Sequence, residues 1–248
     1  MGRTLHRAAV AASAVLLTAA CGGGGHPTSA ASGNSQSAQP AATVSPAIGK
    51  PSTIATAKGA AVQIFSAPGA DTPTMSLKSP NPDGVKRVFL VIARQNGWLK
   101  VMLPVPPNGS SGWVHASAVT MSSTTYLIKV HSSAHRLDVY RGTAKVLDVP
   151  AAIGKADTPT PGGLYYITEL LKAPNPKGAY GPYAYGLSGY STSLTQFNGH
   201  DPIIGIHGTD QPKLVGTSVS HGCVRVTNAV ITKLAGMLPL GTPVQIAA

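Results

Sequence analysis

Along most of this chain, apolar and polar residues alternate in short runs broken by Gly, Pro and Asn. Residues 61–65 (Ala-Val-Gln-Ile-Phe) alternate, and 85–92 is a longer strand pattern. Gln95-Asn96-Gly97-Trp98 carries the Asn-Gly signature of a two-residue hairpin, and 98–103 returns from it. A breaker cluster over 106–112 precedes Trp113-Val114-His115. Further strand patterns cover 126–130, 136–140, 144–153 and 164–168, with a turn at Arg141-Gly142. Residues 174–202 are rich in Gly, Tyr and Pro and lack a period, so they read as a long ordered lid beside a cleft. One helix follows, with Asn228 as its N-cap and Val230, Ile231, Leu234 and Leu238 on one face. Residues 243–246 close the chain as a strand. The expectation is a mostly β protein with one or two short helices. A small barrel occupies 53–121, and a second β-rich domain occupies 124–247.

The first 52 residues have a different texture. Arg3 and Arg7 precede an apolar run from Ala8 to Ala20, which is too short to span a bilayer and reads as an export signal over 1–20. Leu17-Thr18-Ala19-Ala20-Cys21 resembles a bacterial lipobox, which implies cleavage before Cys21 and lipidation of its thiol. Thr18 departs from the more usual leucine. Four glycines and a Ser/Ala/Gln/Pro/Thr-rich run then fill 21–52, read as a flexible spacer with too few apolar residues to fold. The implied location is extracytoplasmic, on the outer face of the cell membrane.

The chain carries 19 Lys and Arg against 8 Asp and Glu. Removing residues 1–20 deletes two arginines, leaving 17 − 8, a net +9. The basic residues are scattered, without the stripe that nucleic-acid binding requires, so anionic envelope polymers or membranes suit the charge better. With Cys21 assigned to lipidation, Cys223 is an unpaired thiol. It ends Ser220-His221-Gly222-Cys223, and His207 lies upstream at the end of an apolar strand. Zinc bound by His207, His221 and Cys223 lacks a fourth ligand at familiar spacing. An inert buried thiol leaves the two histidines and their glycines without a purpose. A nucleophilic cysteine needs a nearby base and an acceptor that orients that base, and this arrangement supplies candidates for both. Gly222 permits backbone conformations that aim an amide at a developing oxyanion. Asp201, Asp210 or a backbone carbonyl can orient the base. A papain-like endopeptidase places its cysteine before its histidine, the reverse of the order here.

Two resemblances follow from these motifs. Asn96-Gly97-Trp98-Leu99-Lys100-Val101 with Gly112-Trp113-Val114 resembles bacterial Src-homology-3-like domains, with Trp98 and Trp113 read as core residues. His207-Gly208, then Ser220-His221-Gly222-Cys223-Val224-Arg225, with Thr160-Pro161-Gly162-Gly163 before a strand, is similar to the YkuD-type L,D-transpeptidases. That resemblance implies that Cys223 is the nucleophile and His207 its base, oriented by the Gly208 carbonyl. It implies that His221 and Gly222, with the Cys223 amide, shape the oxyanion hole. Arg225, where many members have Asn, joins Ser220 and Tyr183 as substrate-binding candidates. The implied partners are peptidoglycan stem peptides and carbapenem-type β-lactams. The implied reaction is 3→3 cross-linking through a thioester with release of D-Ala, and it needs no cofactor or metal. The alternatives are an L,D-carboxypeptidase on the same site and a non-catalytic wall-binding lipoprotein.

Overall fold

A computed structural model describes residues 44–197 and 199–247. The expected export signal and the expected lipidation site, Cys21, lie outside these residues. The first part builds β1 (Ser52–Ala57), β2 (Ala61–Ile64), β3 (Met75–Lys78), β4 (Val88–Gln95), β5 (Trp98–Met102), β6 (Ser111–His115) and β7 (Val119–Thr124). Five of these strands form one sheet in the order β6-β5-β4-β1-β7. The β2–β3 hairpin joins it where Phe65 and Trp113 exchange backbone hydrogen bonds of 2.8 and 2.9 Å. Asn96 and Gly97 both have positive φ, 43° and 80°, which suits the hairpin turn between β4 and β5. Trp113 is buried beside Phe65 and Ala93. Trp98 is only half-buried and stacks on His115, with ring centroids 3.7 Å apart.

The second part contains β8 (Tyr126–His131), β9 (Arg136–Arg141), β10 (Ala144–Pro150), β11 (Ile153–Gly154), β12 (Gly163–Lys172) and β13 (Tyr183–Tyr190). It continues with β14 (Ile203–His207), β15 (Ser218–Ser220), β16 (Val224–Arg225), α1 (Asn228–Ala235) and β17 (Pro243–Ala247). Eight strands form a sheet ordered β10-β9-β8-β17-β12-β13-β14-β16, with β8–β17 and β14–β16 parallel. Strands β11 and β15 pair separately, in parallel. Alternation on this sheet sends Ile128, Val130, Val139, Ile167, Tyr185, Leu187 and Ile206 into one core with Ile231 and Leu234 of α1. The Tyr185 hydroxyl donates to the carbonyls of Leu234 (2.7 Å) and Leu238 (3.2 Å), fixing the helix to the sheet. Thr227, not Asn228, caps α1 by accepting from the Val230 N–H. The Asn228 side chain instead accepts from the Thr209 N–H at 2.8 Å.

Two further readings are corrected by this architecture. Residues 174–202 are not one lid, because β13 runs through them in the middle of the large sheet. Its glycines sit where side chains cross from neighbouring strands. A Cβ on Gly186 would collide with Glu169, and one on Gly189 with the Tyr165 ring. The end of the presumed spacer is also docked: Pro46 is buried, its carbonyl accepts from Gln245 Nε2, and Ser52 opens β1. The two sheets share a third cluster in which fully buried Tyr166 packs with Ile54, Val88, Leu90 and Met102. The Tyr166 hydroxyl donates to the Met102 carbonyl, and the Tyr190 hydroxyl to the Pro104 carbonyl. The Asn108 side chain donates to the Tyr190 carbonyl and accepts from its N–H, both at 2.8 Å.

Candidate active site

Strand register decides which side chains meet. Glu169 pairs with Gly186, and Gly186 with Gly205. Because Val224 pairs with Ile206, Cys223 falls beside Gly205. Two residues along, Leu171, Ala184, His207 and Arg225 make a second row. Directly paired residues share a face, and a two-residue step returns to the same face. Both rows therefore look out from one face, while the intervening row of Leu170, Tyr185, Ile206 and Val224 enters the core. All eight outward residues line one cavity of about 300 Å³. Its floor between the rows' ends is Gly186, Gly205 and Ala184, so backbone and a single methyl separate the larger side chains.

The register makes Cys223 the diagonal neighbour of His207 and makes Arg225 its direct neighbour. His207 is buried, and its Nδ1 is 2.6 Å from the Gly208 carbonyl. Only a protonated Nδ1 can donate to that oxygen, so the lone pair of the neutral ring sits on Nε2. The Gly208 carbonyl thus orients the ring, rather than Asp201 or Asp210. Burial lowers the His207 pKa to about 4, with the Arg225 charge acting in the same direction and the Gly208 hydrogen bond opposing it. Burial raises the pKa of the half-buried Cys223 thiol, while a backbone hydrogen bond from Gly205 and the Arg225 charge pull it back. At neutral pH the pair rests as thiol and neutral imidazole.

The turn before Cys223 is held from both sides. Ser220 Oγ donates to the Cys223 carbonyl at 2.5 Å and accepts from the Gly222 N–H at 3.1 Å. The Ser220 carbonyl accepts from Thr158 Oγ1 and from the Lys155 N–H, both at 3.1 Å. Thr160 Oγ1 in turn accepts from the Gly154 N–H, which explains the threonines ahead of the Pro-Gly-Gly segment. Gly222 has φ of +117°, a conformation that side chains strain to adopt. Ser220, read from sequence as a substrate contact, is fully buried and works as this clamp. The Gly222 N–H is engaged by Ser220, which leaves the Cys223 amide as the oxyanion candidate of the turn.

His221 is exposed, lines the cavity and lies 5.8 Å from the Phe197 ring. Tyr183 is outside the lining and packs against the core, its carbonyl 3.4 Å from the Gly208 N–H. Tyr180 takes the place expected of it, with its ring 4.8 Å from that of His207. Gly181, at φ +63°, lets this segment close onto Gly208 and Asn228, which positions Tyr180. Arg225 Nε is buried without a hydrogen-bond partner. The sequence reading missed Glu169, Tyr180, Gly186 and Gly205. The pairing of a strand glycine with a buried acid was the available signal, but it is readable only once register is known. Among the described residues, no group of three His, Cys, Asp or Glu is placed to hold a metal ion.

A thiol, a tautomer-locked imidazole and an adjacent guanidinium lining one cavity are the groups that cysteine acyl transfer requires. The sequence profile of the YkuD family, the L,D-transpeptidase catalytic domain, matches residues 125–246. The chain is 36% identical over 121 residues to the YkuD protein of Bacillus licheniformis, and 35% identical over 121 residues to that of Bacillus subtilis. Each match covers 49% of this chain and 65% of the relative, so the chain spans somewhat under two thirds of these curated relatives. Both relatives are named for L,D-transpeptidase activity. Among solved structures, Bd1075 of Bdellovibrio bacteriovorus is 33% identical, with a TM-score of 0.40 and coverage of 50% of this chain and 48% of that one. A C442S L,D-transpeptidase of Enterococcus faecium is 26% identical, with a TM-score of 0.38 and 50% coverage of each chain. Residues 125–246 are thus similar to the L,D-transpeptidase catalytic domain of the YkuD family.

Proposed function

We propose that this protein is a peptidoglycan L,D-transpeptidase that forms 3→3 cross-links and is held by lipidated Cys21 at the outer face of the cell membrane. The observation that carries the reading is the outward pair of Cys223 and His207, with the His207 tautomer set by Gly208. His207 Nε2 takes the Cys223 proton as sulfur attacks the carbonyl of the third stem residue. The oxyanion forms against the Cys223 N–H, with His221 at the rim. The C–N bond breaks, His207 returns the proton to the departing D-Ala nitrogen, and a thioester remains. An amine from a neighbouring stem gives its proton to His207 while its nitrogen bonds to the carbonyl. The C–S bond then breaks and the proton returns to sulfur. Water in place of that amine gives the carboxypeptidase outcome. Arg225, with its unpartnered buried Nε, suits the carboxylate of the departing D-Ala. Residues 53–121 are read as a Src-homology-3-like domain and 124–247 as the catalytic domain.

The test uses a tetrapeptide stem and a carbapenem with the full chain. Wild-type protein should release D-Ala and gain the mass of one acyl group, and Cys223→Ala should do neither. A wild-type protein that takes no adduct and frees no D-Ala would leave a non-catalytic wall-binding role.

A further inference from the structure

The cleft has a second chemical end that acyl transfer does not use. Glu169 sits on β12 in the same row as Cys223, three strands away, and Gly186 and Gly205 are the only residues between them in that row. The residue is buried, at 6% exposure, yet it lines the cavity. A carboxylate withdrawn this far from water needs partners to offset its desolvation. Asn81, in the loop before β4, donates from Nδ2 to Glu169 Oε2 at 2.5 Å, and the Asp83 carboxyl is a second polar neighbour. The other oxygen, Oε1, lies over Gly186, where any Cβ would overlap it. Burial pushes the Glu169 carboxyl upward first, and the neighbouring Asp83 adds to it through its charge and a side-chain hydrogen bond. The Asn81 hydrogen bond opposes them, Arg87 does so only through longer-range attraction, and among the described residues no cation forms an ion pair with Glu169.

We propose that Glu169 determines specificity for the acyl donor, its carboxylate binding the side-chain ammonium of the residue whose carbonyl becomes attached to Cys223. This rests on the acyl-transfer reading above. The distances agree. Leaning over Gly186, the carboxylate is two strand spacings from Cys223, about 10 Å. From sulfur through the carbonyl and along an extended lysine-type side chain to its nitrogen is about 9 Å, on ordinary bond lengths. The glycine floor is what lets such a chain lie flat, because any side chain at 186 or 205 would stand in its path. Leu171 and Ala184 of the second row offer apolar contact to its methylenes. Asn81, in the loop before β4, fixes Glu169 Oε2, while Oε1 lies over the glycine floor at Gly186 where the ligand would run.

Lysine and diaminopimelate both carry an ammonium at this reach, so the test compares tetrapeptide stems with lysine, diaminopimelate or Nε-acetyl-lysine at position three. D-Ala release is followed for wild type, Glu169→Gln and Glu169→Asp. Wild type should favour at least one ammonium peptide over the acetylated one by about tenfold or more in kcat/KM, the scale of a buried charge-assisted contact. The preferred peptide names the source. Glu169→Gln should collapse that ratio towards one, mostly through KM, and Glu169→Asp should restore part of it. Wild type that turns over all three peptides equally overturns the ammonium site and leaves acyl transfer standing, whether or not the variants fold. A ratio unchanged in Glu169→Gln does the same. Wild type that releases D-Ala from none of them removes both readings together.

Discussion

His207 is an imidazole kept neutral by burial and steered by a carbonyl one residue away, and that fixes its pH behaviour. Its folded pKa, about 4, lies below the ordinary histidine value near 6.5. Between these values the unfolded chain binds a proton that the native state refuses, so stability falls as pH drops from about 6.5 to 4 and then levels off. The loss is up to about 3 kcal/mol, at 1.36 kcal/mol per pKa unit. Thermal melts across this range should show a steeper acid loss for wild type than for His207→Asn; equal slopes would assign the loss to other groups. The same value places the acid limb of Cys223 acylation near pH 4, and a limb near 6.5 in stopped-flow acylation would mean that His207 is more solvated than its burial indicates. At this scale much was legible. The pairing of His207 with Cys223 was open to sequence reading because each sits in a short motif with its own glycine. The clamp role of Ser220 was not, since a serine's partner depends on how a four-residue turn closes.

Elements explain what the sequence pattern hid. Strands that alternate, such as β8 and β9, announce themselves because one face is fully buried and the other carries the partly exposed Lys129, His131, Arg136 and Tyr140. Strand β13 does not, because its outward face is the floor of the cleft, where Ala184 and Gly186 replace polar residues. Its inward face uses tyrosine at 185 and glycine at 189, so no simple period survives. A long stretch poor in pattern was therefore a functional strand rather than a lid, although Tyr180 before it and Phe197 after it do reach the cavity. The expected consequence is sharp at position 186. Gly186→Ala places a methyl against the Glu169 carboxyl, and should raise KM for the tetrapeptide severalfold while changing kcat less, as expected for lost binding rather than lost chemistry. Equal losses in both parameters would show that the floor acts on the reacting groups instead. The helix cap moved from Asn228 to Thr227 for a related reason: Asn228 is drawn away to hold the Thr209 N–H beside the site.

For the whole molecule, the sequence separated two β-rich regions but did not show that they share a buried cluster between their own cores. Tyr166 is part of the cluster they share, and Asn81, in the loop before β4, hydrogen-bonds Glu169 of the cleft. The described residues form one compact unit. Calorimetry should give a single cooperative transition, with Tyr166→Ala lowering stability by about 3–5 kcal/mol, as for other large buried aromatics. Two separated transitions in the wild type would mean that the sheets are only loosely attached. One further consequence comes from the orientation of His207 by a carbonyl rather than a carboxylate. Among the described residues no carboxylate pairs with the ring to stabilise an imidazolium, so the sulfur is not held as a standing thiolate. Peroxide and alkylating agents attack thiolates, so a protonated sulfur is a poor target for them. Cys223 should therefore age slowly between substrates. It would be a nucleophile made on demand by the arriving acyl group, and chemically quiet while it waits.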